Sequence, residues 1–140
     1  MSTPVLPRPV GARSIDELLA DARTRIARVT PHEAAARMAA GGLLVDIRPA
    51  GQRAREGQVP GALIVERNVL EWRVDPLRDA RLPQATGYDV DVLVLCSEGY
   101  TSSLAADALR TLGLHRATDV IGGFLAWERA GLPTTGGPAL

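Results

Sequence analysis

The sequence predicts an α/β fold, a parallel sheet flanked by helices on both faces, with an extra N-terminal helix. Short apolar runs bounded by Gly, Pro or Asp alternate with amphipathic segments along the chain. Capping residues precede the amphipathic segments and glycines follow them. At 140 residues there is room for one core and not for two.

In chain order, Ser14 with Glu17 opens a helix over roughly Ile15 to Arg28. Its stripe of Leu18, Leu19, Ala22, Ile26 and Val29 is expected to pack on the chain's own domain. A weak strand near Arg28 to Thr30 follows, and then Thr30, Pro31 and Glu33 start a helix that Gly41 and Gly42 stop. Four clearer strands are Leu43 to Ile47, Ala62 to Glu66, Val92 to Cys96 and Ala117 to Ile121. The linker from Glu66 to Asp91, with Trp72, Arg73, Arg78 and Arg81, is long enough to lie over one end of the sheet. Ser102 to Leu112 reads as a helix with Leu104, Ala108, Leu109 and Leu112 near one face, stopped by Gly113. Gly122 and Gly123 turn into a short helix carrying Phe124 and Trp127. Residues 1–28 thus form an extension, 29–134 the domain, and 135–140 a loose tail.

Composition narrows the partners. Acidic and basic residues balance at 16 each, so no net field favours nucleic acid or an anionic membrane. No apolar run reaches the length of a signal peptide core or a membrane span. The single cysteine excludes an internal disulfide and a multi-cysteine metal site, and fits a reducing, cytoplasmic compartment. His32 and His115 are placed for capping or solvent, and neither makes a metal site. A monomer or homodimer without cofactor is expected.

The chemistry gathers in Cys96, Ser97, Glu98, Gly99, Tyr100, Thr101 and Ser102, between a buried strand and a helix. There a tight turn points backbone N–H groups inward, and the helix N-terminus adds partial positive charge. Such a bowl favours an anion, and a thiolate or persulfide at Cys96 would be that anion, further solvated by the hydroxyls of Ser97, Thr101 and Ser102. Any gain in thiolate is largely offset by lost nucleophilicity, so the bowl's value lies in holding negative charge on sulfur during transfer. The plain alternative is a core thiol at a strand end.

The chain resembles the rhodanese homology family over roughly Val29 to Pro133. Val45, Asp46, Ile47 and Arg48 resemble its Val-Asp-x-Arg strand, and Val59, Pro60, Gly61 and Ala62 its Ile-Pro-Gly-Ala turn. Cys96 to Ser102 is similar to its active loop, which opens with cysteine and carries a central Gly, and Gly122 to Pro133 to its closing Gly-Gly-x-x-Ala-Trp-x-x-Ala-Gly-Leu-Pro signature. The resemblance implies a rhodanese-like, five-stranded parallel sheet. It also implies a sulfurtransferase whose cysteine takes sulfane sulfur from a small donor and passes it to an external thiol acceptor. Some members are non-catalytic binding or regulatory modules, and that is the alternative here. On this resemblance Cys96 is the nucleophile, Ser97 to Ser102 the cradle, and Asp46 and Arg48 supporting residues.

Gln58 stands where the family usually has His, and Thr101 where the loop often has Arg. Glu98 adds an acidic group that disfavours a dianionic donor such as thiosulfate, unless Arg67 or Arg73 compensates. A persulfide donor suits the loop better. Phosphatases also open a cradle with cysteine but need an Arg six residues later to grip the phosphoryl oxygens, and that position is Ser102.

Overall fold

The computed structural model describes residues 6–137. Its elements are α1 (Ile15–Arg23), α2 (Pro31–Ala39), β1 (Leu43–Asp46), α3 (Ala50–Glu56), β2 (Leu63–Ile64), a 3-10 turn (Arg67–Val69), α4 (Leu70–Val74), β3 (Val92–Leu95), α5 (Thr101–Thr111), β4 (Thr118–Asp119) and α6 (Gly123–Arg129). The strands form one parallel sheet in the order β2-β1-β3-β4.

The sheet has four strands and not the expected five. Near Arg28 to Thr30 only Val29 pairs, through an isolated parallel bridge to Val120. The chain has no room for more: Thr30 is already the cap of α2, and Pro31 at its first position offers no N–H to a ladder. The capping boxes Ser14–Glu17 and Thr30–Glu33 both form. The first helix stops at Arg23, short of Arg28. Arg25 N–H bonds back only three residues to Ala22, and the chain must then straighten to bring Val29 beside β4.

Alternation along the central strands splits the core into two layers. Val45, Ile47, Val92, Val94 and Cys96 face α4, α5 and Ile26 just beyond α1. Leu44, Leu93 and Leu95 face Ala34 of α2 and Phe124 and Trp127 of α6. All four residues of β3 are buried. At roughly 1.5–3 kcal/mol for each buried Val or Leu, the strand that delivers Cys96 is among the best anchored segments of the chain.

The buried residues of α5 are Ser102, Ser103, Ala105, Ala106 and Leu109, whereas the expected stripe of Leu104, Ala108, Leu109 and Leu112 keeps only Leu109 fully buried. The helix is covered on two sides, by the sheet and by α1, and small side chains let both approach. Sequence periodicity gives no sign of α3, which buries no residue and has no apolar stripe. The long linker packs Leu70 and Val74 beside α5. Past the last helix, Thr135 pairs antiparallel with Gln58 through two 2.8 Å bonds. Of the expected extension and tail, residues 1–5 and 138–140 lie outside the described residues. Among the described residues no helix is long and apolar enough to cross a membrane.

Candidate active site

Cys96 follows β3 directly and is 5% exposed. It lies on a cavity of about 240 Å³ whose other lining residues are Ile47, Arg48 and Pro49 from the β1–α3 turn, Gln52 of α3, Ser97, Glu98 and Tyr100 from the loop, and Thr101 at the start of α5. The Gly99 N–H donates to Cys96 Sγ at 3.2 Å.

The loop is shaped from behind. Its Cys96 and Ser97 carbonyls accept from Phe124 N–H at 2.8 Å and Leu125 N–H at 3.1 Å, donors in the first turn of α6 that have no partner within that helix. In planar trans peptides, the N–H groups of Ser97 and Glu98 then point the opposite way, away from α6. This approach needs a glycine at 123. A Cβ there would lie 2.4 Å from the Cys96 carbonyl oxygen, and the residue sits at φ +62°.

On one side, Arg48 is buried and donates to Asp46 (3.0 and 2.6 Å), Glu56 (3.0 Å) and the Gly57 carbonyl (2.8 Å), stacked 4.3 Å over the Phe124 ring. Burial alone would lower its pKa, but the Asp46 and Glu56 carboxylates outweigh that and hold it above its ordinary value. Glu56 in turn accepts the Ser97 hydroxyl at 2.7 and 2.9 Å. On the other side, fully buried Asp119 accepts from Arg28 (2.8 Å), Ser102 (2.8 Å) and Ser103 (2.7 Å).

These contacts correct the expectations for the loop hydroxyls and for the linker arginines. The hydroxyls of Ser97 and Ser102 do not serve the sulfur, because carboxylates hold them; of the three expected hydroxyls, Thr101 alone lines the cavity without such a partner. Arg67 and Arg73 are not brought to the cavity. The linker runs along α5, where Arg67 bonds Glu71 at 2.7 Å and Arg73 donates to the Ala80 carbonyl. Trp72 lines a separate hollow with Leu112 and Arg78. Glu98 and Tyr100 are exposed at the cavity edge. Among the described residues Arg48 is the one cation lining the cavity, and two carboxylates already engage it.

A strand, a cysteine, a backbone-lined loop and a helix, closed from behind by a Gly-Gly turn, is the arrangement the motifs imply, and the rhodanese-like domain profile matches residues 30–130. The chain belongs to the rhodanese-like domain family. A sulfurtransferase of Allochromatium vinosum is 35% identical over 91 residues, 65% of this chain and 76% of that one. A thiosulfate sulfurtransferase of Vibrio cholerae is 46% identical over a shorter stretch, covering 33% of this chain and 43% of the relative. A solved structure from Rhodopseudomonas palustris, described as a protein of unknown function and possible tyrosine phosphatase, superposes with a TM-score of 0.80 at 30% identity. It covers 94% of this chain and all of that one. A rhodanese-like domain from Anabaena shares the fold, with a TM-score of 0.63 over 78% of each chain.

Within this rhodanese-like site, sequence reasoning missed Glu56, Asp119 and the arginines at 23 and 28. Asp119 carried a usable signal: an acidic residue in the middle of an apolar strand, Ala117 to Ile121, requires a cation from elsewhere. Glu56 offered less, since nothing in its local pattern connects it to Ser97, 41 residues away.

Proposed function

We propose that this protein is a sulfurtransferase in which Cys96 carries sulfane sulfur as a persulfide and delivers it to an external thiol. The observation that carries the reading is the seating of Cys96 Sγ at the cavity, with a loop N–H donated to it and the loop carbonyls drawn backward by α6. Such a site holds negative charge on sulfur with dipoles already aimed. In the first step the Cys96 thiolate attacks the outer sulfur of a persulfide donor; the donor's S–S bond breaks and its thiolate leaves. In the second, an acceptor thiolate attacks the outer sulfur on Cys96, forming an acceptor persulfide and restoring the Cys96 thiolate. With one cysteine in the sequence, the acceptor must come from outside, a small molecule or a protein. A reducing, cytoplasmic setting suits that traffic.

Glu98 at the edge and the absence of an uncommitted cation along the described cavity favour a donor of low charge over thiosulfate. The phosphatase description of the Rhodopseudomonas palustris protein raises phosphoryl transfer as a competitor. Here the sixth residue after Cys96 is Ser102, its hydroxyl turned to Asp119, so no guanidinium stands where phosphoryl oxygens would need one.

Incubation with a persulfide, thiosulfate or mercaptopyruvate, followed by intact mass measurement, tests the reading. One added sulfur, roughly 32 Da, is expected on the parent and not on Cys96→Ser, and an added thiol removes it. No gain with any donor favours a non-catalytic binding module. Release of phosphate from an aryl phosphate in a Cys96-dependent manner overturns the sulfur-transfer assignment.

A further inference from the structure

We infer that Arg23 and Arg28, which precede the family-matched span, are positioning residues for the Cys96 loop, clamping the Gly99 carbonyl so that the Tyr100 amide is directed to the cavity side. The inference rests on the sulfur-transfer reading of that loop. Arg23 Nη2 donates to the Gly99 carbonyl at 2.8 Å and Arg28 Nη2 to the same oxygen at 2.9 Å. Two charged donors on one carbonyl fix its direction firmly. The peptide is planar and trans, so the Tyr100 N–H points opposite to that oxygen, away from the arginines. Tyr100 and Thr101 line the cavity with Cys96, and neither arginine lines it. The guanidiniums also polarise the peptide, making its N–H a stronger donor to negative charge on sulfur.

The clamp completes what α6 begins. Phe124 and Leu125 draw back the carbonyls of Cys96 and Ser97, and the arginines draw back Gly99, which α6 does not bond. Gly99 sits at φ +85°, and a Cβ there would lie 2.7 Å from Gly122 N and 3.2 Å from Arg28 Nη2, so both supports close on this one residue. Arg28 is itself held by Asp119, and Arg23 Nε donates to the Ser103 hydroxyl at 3.0 Å. Among the described residues Arg23 has no carboxylate partner, which leaves its charge directed at the loop.

Arg23→Gln, Arg23→Lys and, as a control, Arg25→Gln test the clamp. Arg25 ties the same N-terminal segment to Asp107 without touching the loop. The readouts are the Tyr100 amide resonance, the alkylation rate of Cys96 by iodoacetamide, and the rate of sulfur loading. Arg23→Gln is expected to move the resonance and to slow both reactions about tenfold. Arg23→Lys, keeping the charge and one donor, should fall between Gln and the parent, and Arg25→Gln should match the parent. An unmoved Tyr100 resonance with unchanged alkylation in Arg23→Gln overturns the inference, as does an equal effect from Arg25→Gln. Should Arg23→Gln not fold, a Lys variant indistinguishable from the parent in resonance and rates overturns it. If the parent takes up no sulfur at all, the sulfur-transfer reading fails, while alkylation and the resonance still decide the clamp.

Discussion

Two buried carboxylate–guanidinium clusters flank the Cys96 loop, and they are assembled in opposite ways. Asp46, Arg48 and Glu56 come from one stretch of chain around the end of β1, and they close on the Ser97 hydroxyl. Asp119 meets Arg28 across 91 residues of sequence and closes on the hydroxyls of Ser102 and Ser103. The Arg48 side chain is wholly enclosed, whereas Arg28 keeps 18% of its side chain in solvent. A strand and the turn after it can therefore build a support by themselves, while its counterpart exists only once the ends of the chain have met. Both ways of building reach the same loop through its hydroxyls.

The difference should appear in stability. Removing one partner of an enclosed ion pair leaves an uncompensated buried charge, so Arg48→Met, which abandons both Asp46 and Glu56, is expected to cost about 3–5 kcal/mol. Arg28→Met should cost less, about 1–3 kcal/mol, because the lost guanidinium is partly in solvent and the Ser102 and Ser103 hydroxyls still hold Asp119. Urea unfolding measures both, and equal losses would erase the contrast. Next in size is Gly123→Ala, where the new methyl meets the Cys96 carbonyl oxygen at 2.4 Å and the Ser97 carbonyl oxygen at 2.7 Å. It is expected to destabilise by roughly 1–3 kcal/mol and to slow Cys96 alkylation. Gly131→Ala has a similar φ, +76°, in open space, and should carry the stability loss of about 1 kcal/mol without the kinetic defect. Matching alkylation rates in the two alanine variants would deny that the Gly-Gly turn shapes the loop.

On the open side of the loop the contrast is one of charge. Glu98→Gln should speed loading from thiosulfate a few-fold, with a smaller gain for a less charged persulfide and a loss of the difference in salt. A gain independent of donor charge would show that Glu98 does not set the field there. The smallest effect belongs to an exposed carboxylate outside both clusters. Glu33 is held below its ordinary 4.5, first by the Thr30 backbone N–H and then by the Thr30 hydroxyl. Its folded pKa lies below the unfolded one, so its stabilisation is complete above the unfolded value and is lost as pH falls through the folded value. Thermal unfolding of Glu33→Gln, followed from neutral pH down through the carboxylate range, should show a shallower acid slope than the parent. An identical slope would rule out this cap as a source of acid sensitivity.

What is legible in the sequence follows the same division. The four sheet strands, both capping boxes, the Cys96 loop and the Asp46–Arg48 pair are local patterns, a few residues apart, and the sequence alone displays them. A fifth strand does not form because its neighbours already commit Thr30 and Pro31 to a helix. The phase of α5 escapes periodicity, which registers large apolar residues, whereas a helix gripped on two sides buries its small ones. Arg67 and Arg73 are candidates only by their place in a long linker, whose course no local pattern fixes. Arg23, Arg28 and Asp119 meet through contacts that span 71 to 91 residues, and only folding joins them.

The seating of the N-terminal segment against the rest of the chain carries a practical consequence. A protein trimmed at Thr30 would retain every motif of the family resemblance, yet lose Ile26 from the interior and strip Asp119 of its counter-charge close to the cysteine's loop. The structural unit is larger than the span the family profile matches, and assays on a minimal version would report on a loop deprived of its support.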